Sequence, residues 1–260
     1  LLIEKHSSGV RVFWKLLSVM YSRRNCKHEI PLTMIDWQQI DTVLLDMDGT
    51  LLDLHFDNHF WLEFVPARYA SRHNISFDQA KQECHRRYAE VHGTLAWYSI
   101  DHWTEQLGLD IALLKTEVDH LIAVLPHVTD FLDLLHKAGK RRVLVTNAHQ
   151  KSLALKMERT QLHHRLDRLI SSHEFGLAKE DPHFWPTLSQ HEPFDKDRTL
   201  FIDDSEAVLR AAANYGVGQL LSIRFPDRQQ PIREVGAFPS IIEFDELLPG
   251  LQAFVELQRK

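Results

Sequence analysis

The sequence predicts an α/β protein: a Rossmann-like core of parallel strands covered by helices, with an α-helical cap inserted after the first strand. Three observations carry the prediction. From Thr42 onward, short β-branched or aliphatic runs alternate with helical patterns, as expected of a parallel sheet with both faces covered. Glycines stand where two of the helical patterns stop, at Gly139 and Gly216. One long interval, residues 54–126, breaks the alternation with helical patterns alone.

Taken in order, strands are expected over 42–48, 142–147, 168–172, 199–204 and 220–225. Helices are expected over 128–138 and 206–215, and a further one begins with Asp181 as N-cap and Pro182 at the first helical position. The interval reads as four helices, over 58–72, 77–92, 99–107 and 111–125. Residues 34–53 and 127–260 then form the core and 54–126 the cap, which leaves the core beyond the carboxyl end of its first strand. In open α/β sheets that edge is where ligands bind, so the cap is placed to act as a lid.

The bulk numbers exclude several classes. A chain of 260 residues, 44% hydrophobic and 25% charged, can bury one sizeable core with an insert. A formal net charge of −6 argues against a nucleic acid or an anionic membrane as the main partner. Charges interrupt every apolar run before the roughly 20 residues of a spanning helix, so no membrane partner is expected. Cys26 and Cys84 offer no disulfide framework, which fits a reducing compartment and makes the cytoplasm the expected location. Residues 1–33 carry six basic and two acidic residues, against an acidic remainder. This tail reads most simply as sequence upstream of a start at Met34; a targeting segment or a basic amphipathic anchor are the other readings.

The chemistry gathers at strand ends. The first strand runs into Asp46-Met47-Asp48-Gly49-Thr50, where two acids two apart face one way on an extended chain and Gly49 permits a sharp turn. Two carboxylates aimed at one place call for a compensating cation. The fourth strand ends in Asp203-Asp204, a second acidic pair at the same edge. A helix cap would account for one of these acids but not both. The second strand ends in Thr146-Asn147, a hydroxyl and an amide that can donate to phosphate, though the pair also suits a plain helix start. Lys179 precedes the next helix and can offset negative charge, or simply sit in solvent. His55 and His59 are spaced for a metal on one helix face but lack a third ligand.

In this order, DxDGT, a threonine at a strand end, a loop lysine and a DD pair resemble the four motifs of the haloacid dehalogenase superfamily, over essentially everything after Met34. The resemblance implies a phosphoric monoester hydrolase that works through an aspartyl phosphate. It makes Asp46 the nucleophile, Asp48 the general acid and base, Thr146 a phosphate donor, and Lys179 the charge-stabilising group. It implies Mg²⁺ as cofactor, held by Asp46, the Asp48 carbonyl, Asp204 directly and Asp203 through water, and a small phosphate ester as substrate.

Residues 51–61, 97–103, 105–110 and 175–181 are further similar to bacterial purine nucleotidases acting on GMP and IMP. Residues 56–103 hold ten of the 25 aromatic residues, and purines stack on aromatic faces. A small helical cap also needs large side chains for its own core. The alternatives are a sugar-phosphate phosphatase, a phosphoglucomutase-like enzyme with the same core and, from another class, an idle binding protein that keeps the fold. Dehalogenase chemistry does not need the second acidic pair.

Overall fold

The computed structural model describes residues 35–259; the tail over 1–33 lies outside the described residues. The core begins with β1 (Thr42–Leu45), buried along its length. A continuous helical segment follows: α1 (His55–His59), a π-helical turn over Phe60–Phe64 and α2 (Val65–His73). Pro66 has no N–H to extend the i→i−4 ladder, and the wider turn falls immediately before it. α3 (Phe77–Val91) opens on a capping box between Ser76 and Gln79, and α4 (Leu95–Tyr98), α5 (Ile100–Leu107) and α6 (Ile111–Glu117) complete the insert. The chain returns through α7 (Val128–Lys137), β2 (Arg141–Thr146), α8 (Gln150–Thr160), β3 (Arg168–Ser171) and α9 (Phe184–His191). It ends with β4 (Thr199–Asp203), α10 (Glu206–Tyr215), β5 (Gln219–Ile223), β6 (Ser240–Ile241) and α11 (Leu248–Gln258).

Among the described residues six strands form one parallel sheet in the order β3-β2-β1-β4-β5-β6. The α/β class and the helix-covered parallel sheet expected from the sequence are what the structure contains. Alternation along each strand sorts the core. Val43, Leu45, Leu144 and Ile202 pack with residues of α7 and α11 on one face, and Leu44, Val143, Val145 and Phe201 pack with α9 and α10 on the other. Each such side chain removed from water contributes roughly 1.5–3 kcal/mol. Leu45 pairs with Leu144 on one side and Ile202 on the other, so β1, β2 and β4 end together. The strand order reverses at β1, which is where ligands bind in such sheets.

Several expected boundaries move. The strands over 42–48 and 199–204 stop at Leu45 and Asp203; the Asp46 N–H still donates to the Ile202 carbonyl at 3.0 Å, and Asp48 and Asp204 lie beyond the ladder. The strand over 220–225 is Gln219–Ile223, followed by a sixth strand at Ser240–Ile241 too short to show in the pattern. Asp181 is not a helix cap: its carboxylate accepts from the His183 N–H at 2.8 Å, and the helix starts at Phe184. The helix over 111–125 ends at Glu117; a 3₁₀ turn over Asp119–Leu121 follows, and Val124 then bridges to Leu52.

The insert has its own core, built on Phe56, Phe60, Tyr69, Tyr88 and Trp103. Its two connections to the sheet run side by side: the Asp53 N–H donates to the Ala123 carbonyl at 2.9 Å and the Leu125 N–H to the Leu51 carbonyl at 3.0 Å.

Candidate active site

Asp46, Thr146 and Asp203 come off the ends of three adjacent strands, and the turn after Asp48 closes tightly. Gly49 has φ +84°, and a Cβ there would stand 2.7 Å from the Asp204 carboxylate, so a side chain is excluded both by conformation and by space. Lys179 is 2% exposed. Its ammonium donates to Asp46 Oδ1, to Asp203 Oδ2 at 2.7 Å and to the Val145 carbonyl at 3.1 Å. Its backbone N–H donates to Asn147 Oδ1 at 2.8 Å, which locks the loop to the end of β2. Thr146 is buried, its hydroxyl accepting from the Ala148 N–H at 3.0 Å.

Oxygens of Asp46, Asp203 and Asp204 lie within 4.8 Å of one another. Three hard oxygen donors suit Mg²⁺ rather than a softer metal. Burial pushes the Asp46 carboxyl up to about 7, with Asp203 adding to the rise and Lys179 opposing it. Asp203 and Asp204 are pushed up to about 6, again first by burial. A divalent cation is the charge that relieves this crowding, so the residues fit the metal the motifs imply. Asp203 has both oxygens engaged, by Lys179 and by the Ser205 N–H, whereas Asp204 receives Arg233 on Oδ2 at 3.1 Å. His55 and His59 do share a helix, with rings 6.0 Å apart, but His55 faces Asp227 and the pair stands outside this cluster.

The structure thus brings together Asp46, Asp48, Thr146, Asn147, Lys179, Asp203 and Asp204 around one cavity of about 260 Å³, roofed by Trp61 and Trp97 of the insert. It adds groups that spacing in the sequence could not show. Lys156 of α8 donates to Asp48 Oδ1 and to Asp57 Oδ2, both at 2.6 Å, and Lys115 of α6 donates to Asp57 Oδ1 at 2.9 Å. Burial pushes Asp48 up to about 6 against the pull of Lys156. For Asp57 burial also opposes ionisation, but the two lysines outweigh it and hold the carboxyl far below its usual range. Glu180 ties insert to core, accepting from the Tyr98 hydroxyl at 2.6 Å and the Asn147 amide at 2.8 Å. In the sequence, Asp57, Tyr98 and Glu180 each lie in a stretch similar to the purine nucleotidases, and Tyr98 is also one of the ten aromatic residues over 56–103; Lys115 and Lys156 gave no signal.

The family model of haloacid dehalogenase-like hydrolases matches residues 40–216. The chain belongs to that family of hydrolases. It is 43% identical over 217 residues to the GMP/IMP nucleotidase YrfG of Escherichia coli, covering 84% of this chain and 98% of that protein. The enzyme class the motifs predicted, phosphoric monoester hydrolase, stands with this relative. Among solved structures, a HAD phosphatase from Thermococcus onnurineus matches with a TM-score of 0.66 at 21% identity, over 81% of this chain and 97% of the other. The HAD-hydrolase YfnB of Bacillus subtilis, solved bound to magnesium, matches with a TM-score of 0.53 at 17% identity, over 82% and 98%. Both show the fold.

Proposed function

We propose that this chain is a Mg²⁺-dependent 5′-nucleotidase that hydrolyses purine nucleoside monophosphates, GMP and IMP, to nucleoside and phosphate. The observation that carries the reading is one cavity lined both by Asp46, Asp48 and Lys179 of the core and by Trp61 and Trp97 of the insert. The 43% identity to a GMP/IMP nucleotidase supports the choice of base.

In the first step Asp46 attacks phosphorus and the bond to the 5′ oxygen breaks, Asp48 giving its proton to that oxygen. In the second, Asp48 takes a proton from water, whose oxygen attacks phosphorus and releases Asp46. Lys179, already on Asp46 and Asp203, lowers the repulsion between carboxylate and phosphoryl oxygens. Thr146 and Asn147 stand at the end of β2, where the phosphate is received. Mg²⁺, when bound by Asp46, the Asp48 carbonyl and Asp204, with Asp203 behind it, supplies charge neutralisation at the phosphoryl group.

The test is kcat/KM for GMP, IMP, AMP and a hexose phosphate, with Mg²⁺ and with excess chelator. GMP and IMP should lead, since a site that hydrogen-bonds a 6-oxo edge is left with unpaired groups by a 6-amino purine. Chelation should stop turnover and Mg²⁺ restore it. A hexose phosphate in first place would overturn the nucleotide reading, and full activity in chelator the metal.

A further inference from the structure

Two lysines are sealed between core and insert, Lys156 at 1% exposure and Lys115 at 2%, and neither has a part in the steps above. Together with two carboxylates they form a chain, Asp48–Lys156–Asp57–Lys115, that crosses from the turn after β1, through α8 of the core, to α1 and α6 of the insert. Among the described residues Asp57 is the only carboxylate within ion-pair range of Lys115, whose ammonium otherwise lies 4.6 Å from the Phe60 ring centre and 4.8 Å from that of Phe56. A buried ammonium is tolerated only while paired, so these four groups fix one relative placement of α1, α6 and α8.

Asp48 lies beyond the last ladder residue of β1, and Lys156 is the hydrogen-bond partner of its carboxyl. With Oδ1 held by Lys156, Oδ2 is the oxygen left to carry a proton into the cavity. Lys156 in turn is aimed by Asp57, which belongs to the insert. We propose that Asp57 is a positioning residue: by fixing Lys156 it sets the Asp48 carboxyl for leaving-group protonation, and it does so only while the insert is seated on the core. This rests on the reading of Asp48 as the group that protonates the leaving oxygen.

The test compares kcat/KM for a 5′-nucleotide and for p-nitrophenyl phosphate, whose leaving group departs with little protonation. This parameter covers the step in which the leaving group departs, and the ratio between the two substrates does not depend on how much of a variant is folded. Asp57→Ala should lose about 10- to 100-fold on the nucleotide and under about threefold on the aryl phosphate. Asp57→Asn, which keeps the shape, should fall between it and wild type. The double variant Asp57→Ala with Lys156→Met should be no worse than Lys156→Met alone. Equal losses on both substrates, or independent losses in the double variant, would overturn the proposal if Asp48→Asn still loses more on the nucleotide. Equal losses in Asp48→Asn itself would overturn the proton-handling role of Asp48, and the proposal with it.

Discussion

Asp46 and Asp48 are two residues apart and meet different charges. Asp46 sits against Lys179 and beside Asp203, at the floor, while Asp48 is reached from the other side by Lys156. That division suits a nucleophile and a proton carrier. Asp46→Asn should abolish turnover, by at least about 10³-fold in kcat, with the far-ultraviolet circular dichroism unchanged. Near-normal hydrolysis would remove the aspartyl phosphate. Six of the seven candidate residues could be picked out in the sequence because each stands where an apolar run stops, and the register of a parallel sheet brings such ends together; Lys179, in a loop before a helix, was legible only from the order of the motifs. Lys156, Lys115 and Arg233 could not, because their partners are set by how helices and loops far apart in sequence pack.

Strands were the easier elements to read, since a short aliphatic run bounded by acids or amides seldom folds as anything but a buried strand. Helix ends were harder: Asp181-Pro182 offers local signals for a start, yet the side chain serves a turn and the helix waits until Phe184. The pairing of β2 with β3 is extended by a side chain, Arg142, whose guanidinium and backbone N–H both donate to Asp167, at 2.7 Å for Nη2 and for N. Burial raises the Asp167 carboxyl, but the hydrogen bonds from Arg142 win and hold it below its ordinary value. The sign follows: the pair stabilises the fold fully above the unfolded carboxylate value near 3.8, and the contribution is lost as pH falls through the lower folded value. Asp167→Asn should therefore cost about 1–2 kcal/mol at pH 7, partial exposure keeping the figure low, and lose this component of the acid-unfolding slope. Denaturant melts at pH 7 and at a pH below the folded value check it; an equal cost at both would exclude the ion pair.

On the scale of the whole molecule, the cavity belongs to both parts of the chain, its floor to the sheet and its roof to the insert. The excess of aromatic residues had two readings, and the structure divides it. Phe56, Phe60, Tyr69, Tyr88 and Trp103 are buried in the insert, while Trp61, Trp97 and Tyr98 line the cavity, Trp61 and Trp97 packing against the insert's core as well. Trp97→Leu should accordingly lower kcat/KM for a purine nucleotide by about 5- to 100-fold, the range expected for one lost base stack, and leave p-nitrophenyl phosphate within about threefold. Matching losses on both would make Trp97 part of the insert's packing alone.

The paired connections at Leu51–Asp53 and Ala123–Leu125 bear on how such a protein diversifies. Because the two strands of this stem lie within hydrogen-bonding distance, everything between them can be exchanged at one seam without stretching the chain or parting β1 from its neighbours. A transplanted roof would meet the same floor, so new substrates become reachable by recombination at that seam, provided the newcomer brings a carboxylate to where Asp57 now meets Lys156.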